Sequence, residues 1–192
     1  MLPEPRVLAF DTSAAHCAAA LLLGDRIVTR IDDMAKGQAE HLMPMLEKML
    51  TEASLTWKDL TCIGVGTGPG NFTGIRISVA AARGLALGLG IPAVGVDGFA
   101  ARAYGLSRPV TVTIPAPRGQ HYRQSFLANG AATPPEHLHG EAGPQPDAES
   151  LVAAIARIAA QTKDQTTARP APLYVRSADA APPRDPAPVL LG

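Results

Sequence analysis

The sequence predicts an α/β protein built on a mixed sheet. Three observations carry this. Three short apolar runs near the N-terminus are joined by two tight turns. Helical and extended patterns alternate after them. A glycine-rich turn lies between an apolar run and the longest apolar helix, the arrangement of a strand crossing over into a helix.

Residues 7–10 (VLAF) are an apolar run ending in Asp11-Thr12-Ser13, as a strand meeting a turn does. Residues 17–23 form a second run closed by Gly24-Asp25. Residues 26–31 alternate basic and apolar side chains like a half-exposed strand. With two short connections the three make an antiparallel meander. Residues 38–53 follow as a helix. Leu42, Leu46, Met49 and Ala53 share one stripe, and Met43, Met45 and Leu50 widen the apolar arc. Pro44 sits in the first turns, where proline is tolerated. Residues 60–65 are a fourth strand. GTGPGNFTGIR, residues 66–76, then leads into a helix running to about Leu89, capped by Asn71 or Thr73. Gly90-Ile91-Pro92 stops it. Residues 93–96 are a fifth strand, and residues 98–104 a short helix.

Beyond Ser107 the pattern thins. Residues 110–114 and 122–128 read as strands, and residues 131–146, rich in Pro, Gly, Ala and His, as a loop with His137 and His139 solvated. Residues 150–160 form an amphipathic helix, and the Pro/Ala-rich tail after Arg169 reads as irregular. The chain therefore divides into a complete unit, residues 1–106, and a reduced one, residues 107–192.

Composition narrows the function. Of 192 residues, 46% are hydrophobic and 18% charged, enough to bury a core. The 17 basic and 17 acidic residues balance, which argues against a chain whose main task is gripping nucleic acid. Arg118, Arg123, Arg169 and Arg176 leave room for a local contact with nucleic acid. Cys17 and Cys62 lie within apolar runs, without a C-x-x-C partner, and read as buried small hydrophobes. The N-terminus lacks a basic segment followed by an apolar one, and no apolar run reaches the ~18 residues of a membrane span. The expectation is a cytoplasmic protein without membrane contact.

Little in the sequence supports chemistry of its own. His41 stands on a helix with Met45 four positions on, so a two-histidine metal site is not formed. The glycine turn lacks the lysine of a phosphate-binding G-x-x-x-x-G-K-[ST] loop. Ser13, Thr73 and Ser78 have no evident histidine-plus-acid partners. The competing reading is a nucleotide-binding ATPase or phosphotransferase using Asp11 and the glycine turn.

Four segments together carry a family resemblance: VLAFDTS at 7–13, QAEHLMPML at 38–46, GVGTGPGNFTGIRISVAAARGLALGLGIPAVGV at 64–96, and LYVRSADA at 173–180. They resemble the TsaB (YeaZ) family, which takes part in making threonylcarbamoyladenosine in tRNA. The resemblance implies an actin-like, ASKHA-type fold of two ribonuclease-H-like subdomains with mixed sheets. It also implies a non-catalytic partner of TsaD, working in a larger complex with the ATPase TsaE and touching tRNA indirectly. ATP and metal would sit on the partner subunits, and this subunit would bind no cofactor. Asp11, Thr12, Ser13, Gly66, Gly68, Gly70 and Thr73 would then be remnants of nucleotide-fold turns. Family members carry an I-D-A-R-x-G-E-like segment at the start of the second half. Residues 114–120 (IPAPRGQ) replace its acid with Pro115, an arginine with Pro117 and the Glu with Gln120, consistent with a reduced second subdomain.

Both long helices are more apolar than one packing contact requires, and Gly74, Ser78, Ala81, Ala82 and Leu85 form a stripe of mostly small residues. Joined to the resemblance, this predicts a four-helix contact with TsaD. Its residues would be His41, Leu42, Met45, Leu46 and Met49 from the first helix, with Gly74, Arg76, Ile77, Ser78, Ala81, Ala82 and Leu85 from the second. In isolation the same surface could pair two copies of the chain.

Overall fold

A computed structural model describes residues 4–175 of the chain. Strands β1 (Arg6–Asp11), β2 (His16–Leu23) and β3 (Arg26–Asp33) form the antiparallel meander, with Leu8 opposite Leu21 and Ala20 opposite Thr29. Helix α1 (Gln38–Glu52) and a 3₁₀ turn at Trp57–Asp59 return the chain to β4 (Cys62–Gly66), which pairs parallel with β1. Helix α2 (Phe72–Leu89) leads to β5 (Ala93–Val96), parallel to β4. The strand order β3-β2-β1-β4-β5 is the expected mixed sheet.

Alternation along the strands sends side chains to two faces. Leu8, Phe10, Cys17, Ala19, Leu21, Ile63 and Val65 pack under α1 and α2. Val7, Ala9, Ala18, Ala20, Leu22 and Cys62 face the other way. The cover for that second face comes from far along the chain.

After α3 (Gly98–Ala103), strands β6 (Val110–Ala116), β7 (Gln120–Phe126) and β8 (Glu136–His139) form a three-stranded antiparallel sheet, followed by α4 (Ala148–Thr162). The order β-β-β-α repeats the opening of the first half and stops there among the described residues. Helix α4 lays Val152, Ile155, Ala156 and Ala159 against the open face of the first sheet. The approach is close, since a Cβ on Gly64 would lie 3.0 Å from that of Ala159. The two segments divided at residue 106 thus share one core.

Three expectations need correction. Residues 131–146 are not all loop: β8 pairs with β7, His121 opposite Leu138, and the Arg123–Glu136 ion pair at 2.7 Å braces it. Four residues behind Pro134-Pro135 are too few to print a period-two signal. His137 and His139 therefore sit on a strand, both exposed. Pro115 does not end β6, because β6 is an edge strand, where a residue without an N–H is tolerated. Finally, α2 at 18 residues is long and apolar enough to cross a bilayer by length and composition, although 33% of it is buried within the chain. Arg76 and Arg83 interrupt the apolar run without cancelling its hydropathy.

The tail beyond Val175, including Arg176 and most of the LYVRSADA segment, lies outside the described residues. Asn71 is the cap of α2: its Oδ1 accepts from the Gly74 amide at 2.9 Å, while Thr73 is exposed. Asn71→Ala is expected to lower the stability of the chain by about 1 kcal/mol, read from the urea midpoint.

Candidate functional site

The glycine turn and the end of β1 are built against each other. Asp11 closes an Asx turn, its Oδ1 accepting from the Ser13 amide at 2.7 Å and its Oδ2 from the Ser13 hydroxyl at 2.9 Å. Thr12 is fully buried and its Oγ1 donates to the Gly74 carbonyl at 2.6 Å. The Asn71 amide donates to the Ser13 carbonyl at 2.7 Å. A Cβ at Gly66 would fall 2.7 Å from Asp11 Cγ, one at Gly70 2.6 Å from the Ser13 carbonyl, and one at Gly74 1.8 Å from the Thr12 carbonyl. The glycines are therefore required by the contact with residues 11–13, which fixes the direction in which α2 leaves the sheet. Gly68, at φ 88°, additionally turns the chain, and its carbonyl accepts from the Gly98 amide at 2.7 Å.

The residues expected at a partner interface separate into two groups. Leu42, Met45, Leu46, Met49, Gly74, Ser78 and Ala82 are buried in the chain's own core. The stripe that periodicity picks out is the face turned onto the sheet, so these seven cannot meet a partner without unfolding. Ser78 is satisfied internally, its hydroxyl donating to the Ile75 carbonyl at 3.2 Å. His41, Ile77, Ala81 and Leu85 are half-buried at the edge, and Arg76 is exposed.

The outer face of α2 is a different set: Ala80, Arg83, Gly84, Leu87 and Gly88, all exposed, with Leu87 at 81%. A Cβ on Gly84 or on Gly88 would meet nothing within 4 Å. Among the described residues no contact requires glycine at either position, although each destabilises a helix interior by roughly 0.5–1 kcal/mol relative to alanine. The helix has no acidic residue. Arg76 lies over the Phe72 ring at 3.8 Å, and its Nε donates to the Tyr174 hydroxyl at 3.1 Å. The face is small, apolar and positive. The sequence signal that could have found it was the pair of glycines inside a helix at a spacing of four. The outer side of α1 contrasts with it, presenting Glu40, Glu47, Lys48 and Glu52.

His41, on α1, is tied to β3. Its Nε2 lies 2.6 Å from Asp32 Oδ2, and Arg30 Nε donates to the same oxygen at 3.4 Å. The His41 hydrogen bond, with help from Arg30, holds the Asp32 carboxyl below its ordinary value. A depressed carboxyl stabilises the fold above its unfolded pKa of about 3.9, and that contribution is lost as pH falls through the folded value. Asp32→Asn is therefore expected to flatten the acid limb of the stability-versus-pH curve below about pH 4, as measured by urea unfolding across pH.

Burial pushes the Cys17 thiol up to about 11 and the Cys62 thiol up to about 12, so both are thiols at neutral pH, as buried small hydrophobes would be. Among the described residues, no three His, Cys, Asp or Glu side chains converge on one point.

A cavity of about 240 Å³ opens between the first sheet, α3, α4 and β6. Asp11, Ser13, Gly66, Gly68 and Gly70 line it from one side, and Arg102, Ile114, Pro115 and Gln145 from the others. Arg102 was not singled out by the sequence. Burial lowers its pKa, opposed by the charge of Asp11. Its place in a cleft arises only where residues 11, 102 and 145 are folded together.

The family model described as "TsaD: tRNA N6-adenosine threonylcarbamoyltransferase" matches residues 32–139. A tRNA threonylcarbamoyladenosine biosynthesis protein TsaB from Buchnera aphidicola subsp. Schizaphis graminum is 35% identical over 128 residues, 64% of this chain and 61% of that protein. The TsaB of Escherichia coli is 33% identical over 103 residues, 54% of this chain and 45% of that protein. The chain thus spans about half the length of the curated relatives it matches. Among solved structures, YeaZ from Pseudomonas aeruginosa superposes with a TM-score of 0.68 at 25% identity, covering 88% of this chain and 99% of that one. RuvC of Thermus thermophilus in complex with a Holliday junction reaches 0.50 at 14% identity over 87% of this chain and 99% of that one, a likeness of fold alone. The architecture is the ribonuclease-H-like, actin-like ASKHA type.

Proposed function

The chain belongs to the TsaD family, as a member of its TsaB/YeaZ type, and from that membership we propose that it is a non-catalytic cytoplasmic subunit supporting threonylcarbamoyl transfer to adenosine in tRNA. It docks on a TsaD-type subunit, which supplies the chemistry and holds the metal. A TsaE-type ATPase joins the larger assembly, and tRNA is reached through the partners. The docking face is the outer side of α2, centred on Ala80, Gly84, Leu87 and Gly88 and edged by Arg76, Ile77, Ala81, Arg83 and Leu85. The observation that carries this reading is the pair of exposed glycines, at which an added Cβ would meet nothing. Glycine there lowers helix stability and serves no contact among the described residues, but it lets the backbone of a second helix come close.

The glycine turn then has a mechanical task. By packing on residues 11–13 it aims α2, and hence the docking face, away from the sheet. Co-purification of the chain with the TsaD-type protein of the same organism, followed by a tRNA modification assay with and without the TsaE-type protein, tests the proposal. Stable association and dependence of modification on this chain are expected. Failure to associate, or hydrolysis of Mg-ATP by the chain alone, would overturn it. In the partner's absence the same face is expected to hold two copies together, read as a concentration-dependent dimer in sedimentation.

A further inference from the structure

We propose that the cleft between the two sheets is a binding site for a free α-amino acid, with its carboxylate on Arg102 and its ammonium on Asp11. The inference is independent of the docking face. It rests on four observations about the cleft.

First, a cation and an anion line the same cavity without forming an ion pair. Both Asp11 and Arg102 face it, yet they are not joined among the described ion pairs. A half-buried guanidinium without a carboxylate contact loses hydration and gains no charge partner in return.

Second, Arg102 is held as a fixed fork. Its Nε donates to Gln145 Oε1 at 2.9 Å and its Nη1 to the Gly98 carbonyl at 3.0 Å. Gln145 is itself oriented, its Nε2 donating to the Gly143 carbonyl at 2.8 Å. A guanidinium carries five N–H groups, and the Nη2 pair makes no hydrogen bond among the described residues. A planar, bidentate acceptor is the natural partner of that remaining edge.

Third, Asp11 has capacity left. Each of its oxygens accepts one hydrogen bond from Ser13, and each retains a second lone pair.

Fourth, the size is selective. A cavity of about 240 Å³ lies below the ~300–1,000 Å³ of pockets for drug-sized ligands, a size suited to a small ligand. Its remaining walls include Val96, Ile114, Leu151 and Ile155, which would contact a small apolar side chain. A simple anion would satisfy Arg102 but be repelled by Asp11, and a simple amine would meet the reverse. A small zwitterion answers both. His16 is the remaining titratable group on the cavity wall.

The test is calorimetric titration and thermal shift of the full chain with each L-α-amino acid, using acetate, methylamine and inorganic phosphate as controls. At least one amino acid is expected to bind and raise the melting temperature, with acetate and methylamine at least tenfold weaker. Arg102→Lys, which keeps the charge but not the fork, and Asp11→Asn, which retains a side-chain acceptor for Ser13, are each expected to weaken binding at least tenfold while leaving far-UV circular dichroism unchanged. If no amino acid binds the unaltered chain, the proposal fails. It fails equally if phosphate or acetate binds as well as the best amino acid, or if a folded Arg102→Lys chain keeps full affinity. None of these results bears on association with a TsaD-type partner.

Discussion

Gly84→Arg is expected to abolish capture of the TsaD-type subunit while leaving the chain folded. Among the described residues nothing lies within 4 Å of a Cβ added at position 84, so they present no clash to relieve. Arginine is also the better helix former, and the folded chain should gain up to about 1 kcal/mol. At the docking face the same side chain would hold the facing helix several ångströms away. A central position in a helix–helix contact is where losses of about 2 kcal/mol or more arise, a weakening of roughly thirtyfold or greater. Gly84→Ala makes the sharper comparison. It should raise the melting temperature of the chain alone and still weaken docking. Calorimetry with the purified partner, alongside thermal unfolding of the free chain, reads both effects. Undiminished binding of a folded Gly84→Arg chain would remove the outer face of α2 from the interface. The same substitution at Ala82, suggested by the sequence stripe, would be uninformative. Ala82 is 0% exposed, and a charged side chain there would unfold the helix's own packing.

Gly74→Ala, ten positions earlier on the same helix, is expected to have the opposite sign and a larger size. The added Cβ would fall 1.8 Å from the Thr12 carbonyl oxygen and 2.9 Å from its carbon, both backbone atoms that no rotamer change can move. Relief requires β1 and α2 to separate. That would also break the Thr12 Oγ1 bond to the Gly74 carbonyl, which is buried and 2.6 Å long. Overpacking commonly costs about 1–3 kcal/mol, and breaking a buried hydrogen bond about 1–3 more. A loss above about 3 kcal/mol is therefore expected, a large share of the ~5–15 kcal/mol that holds a typical domain together. Urea unfolding measures it. A Gly74→Ala chain within about 1 kcal/mol of the parent would show that the turn does not depend on that close approach.

Much of this was legible from residue order. Strands β1 to β5 and helices α1 to α3 lie where the apolar runs, turn residues and caps placed them, because each signal is local. Asn71 caps α2 from three residues away, and the glycine turn announces a crossover whatever surrounds it. The proposed docking face was less legible for the same reason. The stripe through Leu42, Leu46 and Met49 truly marks a face that must be buried. Periodicity reports only that burial occurs, and the sheet beneath α1 took that face.

What the sequence determined by itself is the order of elements, the mixed sheet they imply, the cap and turn that start α2, and the family to which the GTGPGNFTGIR block belongs. The tertiary structure alone decided which face of α2 stays open among the described residues, that α4 closes the far side of the first sheet, that residues 136–139 add a strand, and that Arg102 and Asp11 line one cavity. Those outcomes depend on contacts between residues tens of positions apart. The free energy of such contacts comes from area jointly removed from water and from charges jointly desolvated, quantities that no local window of sequence contains.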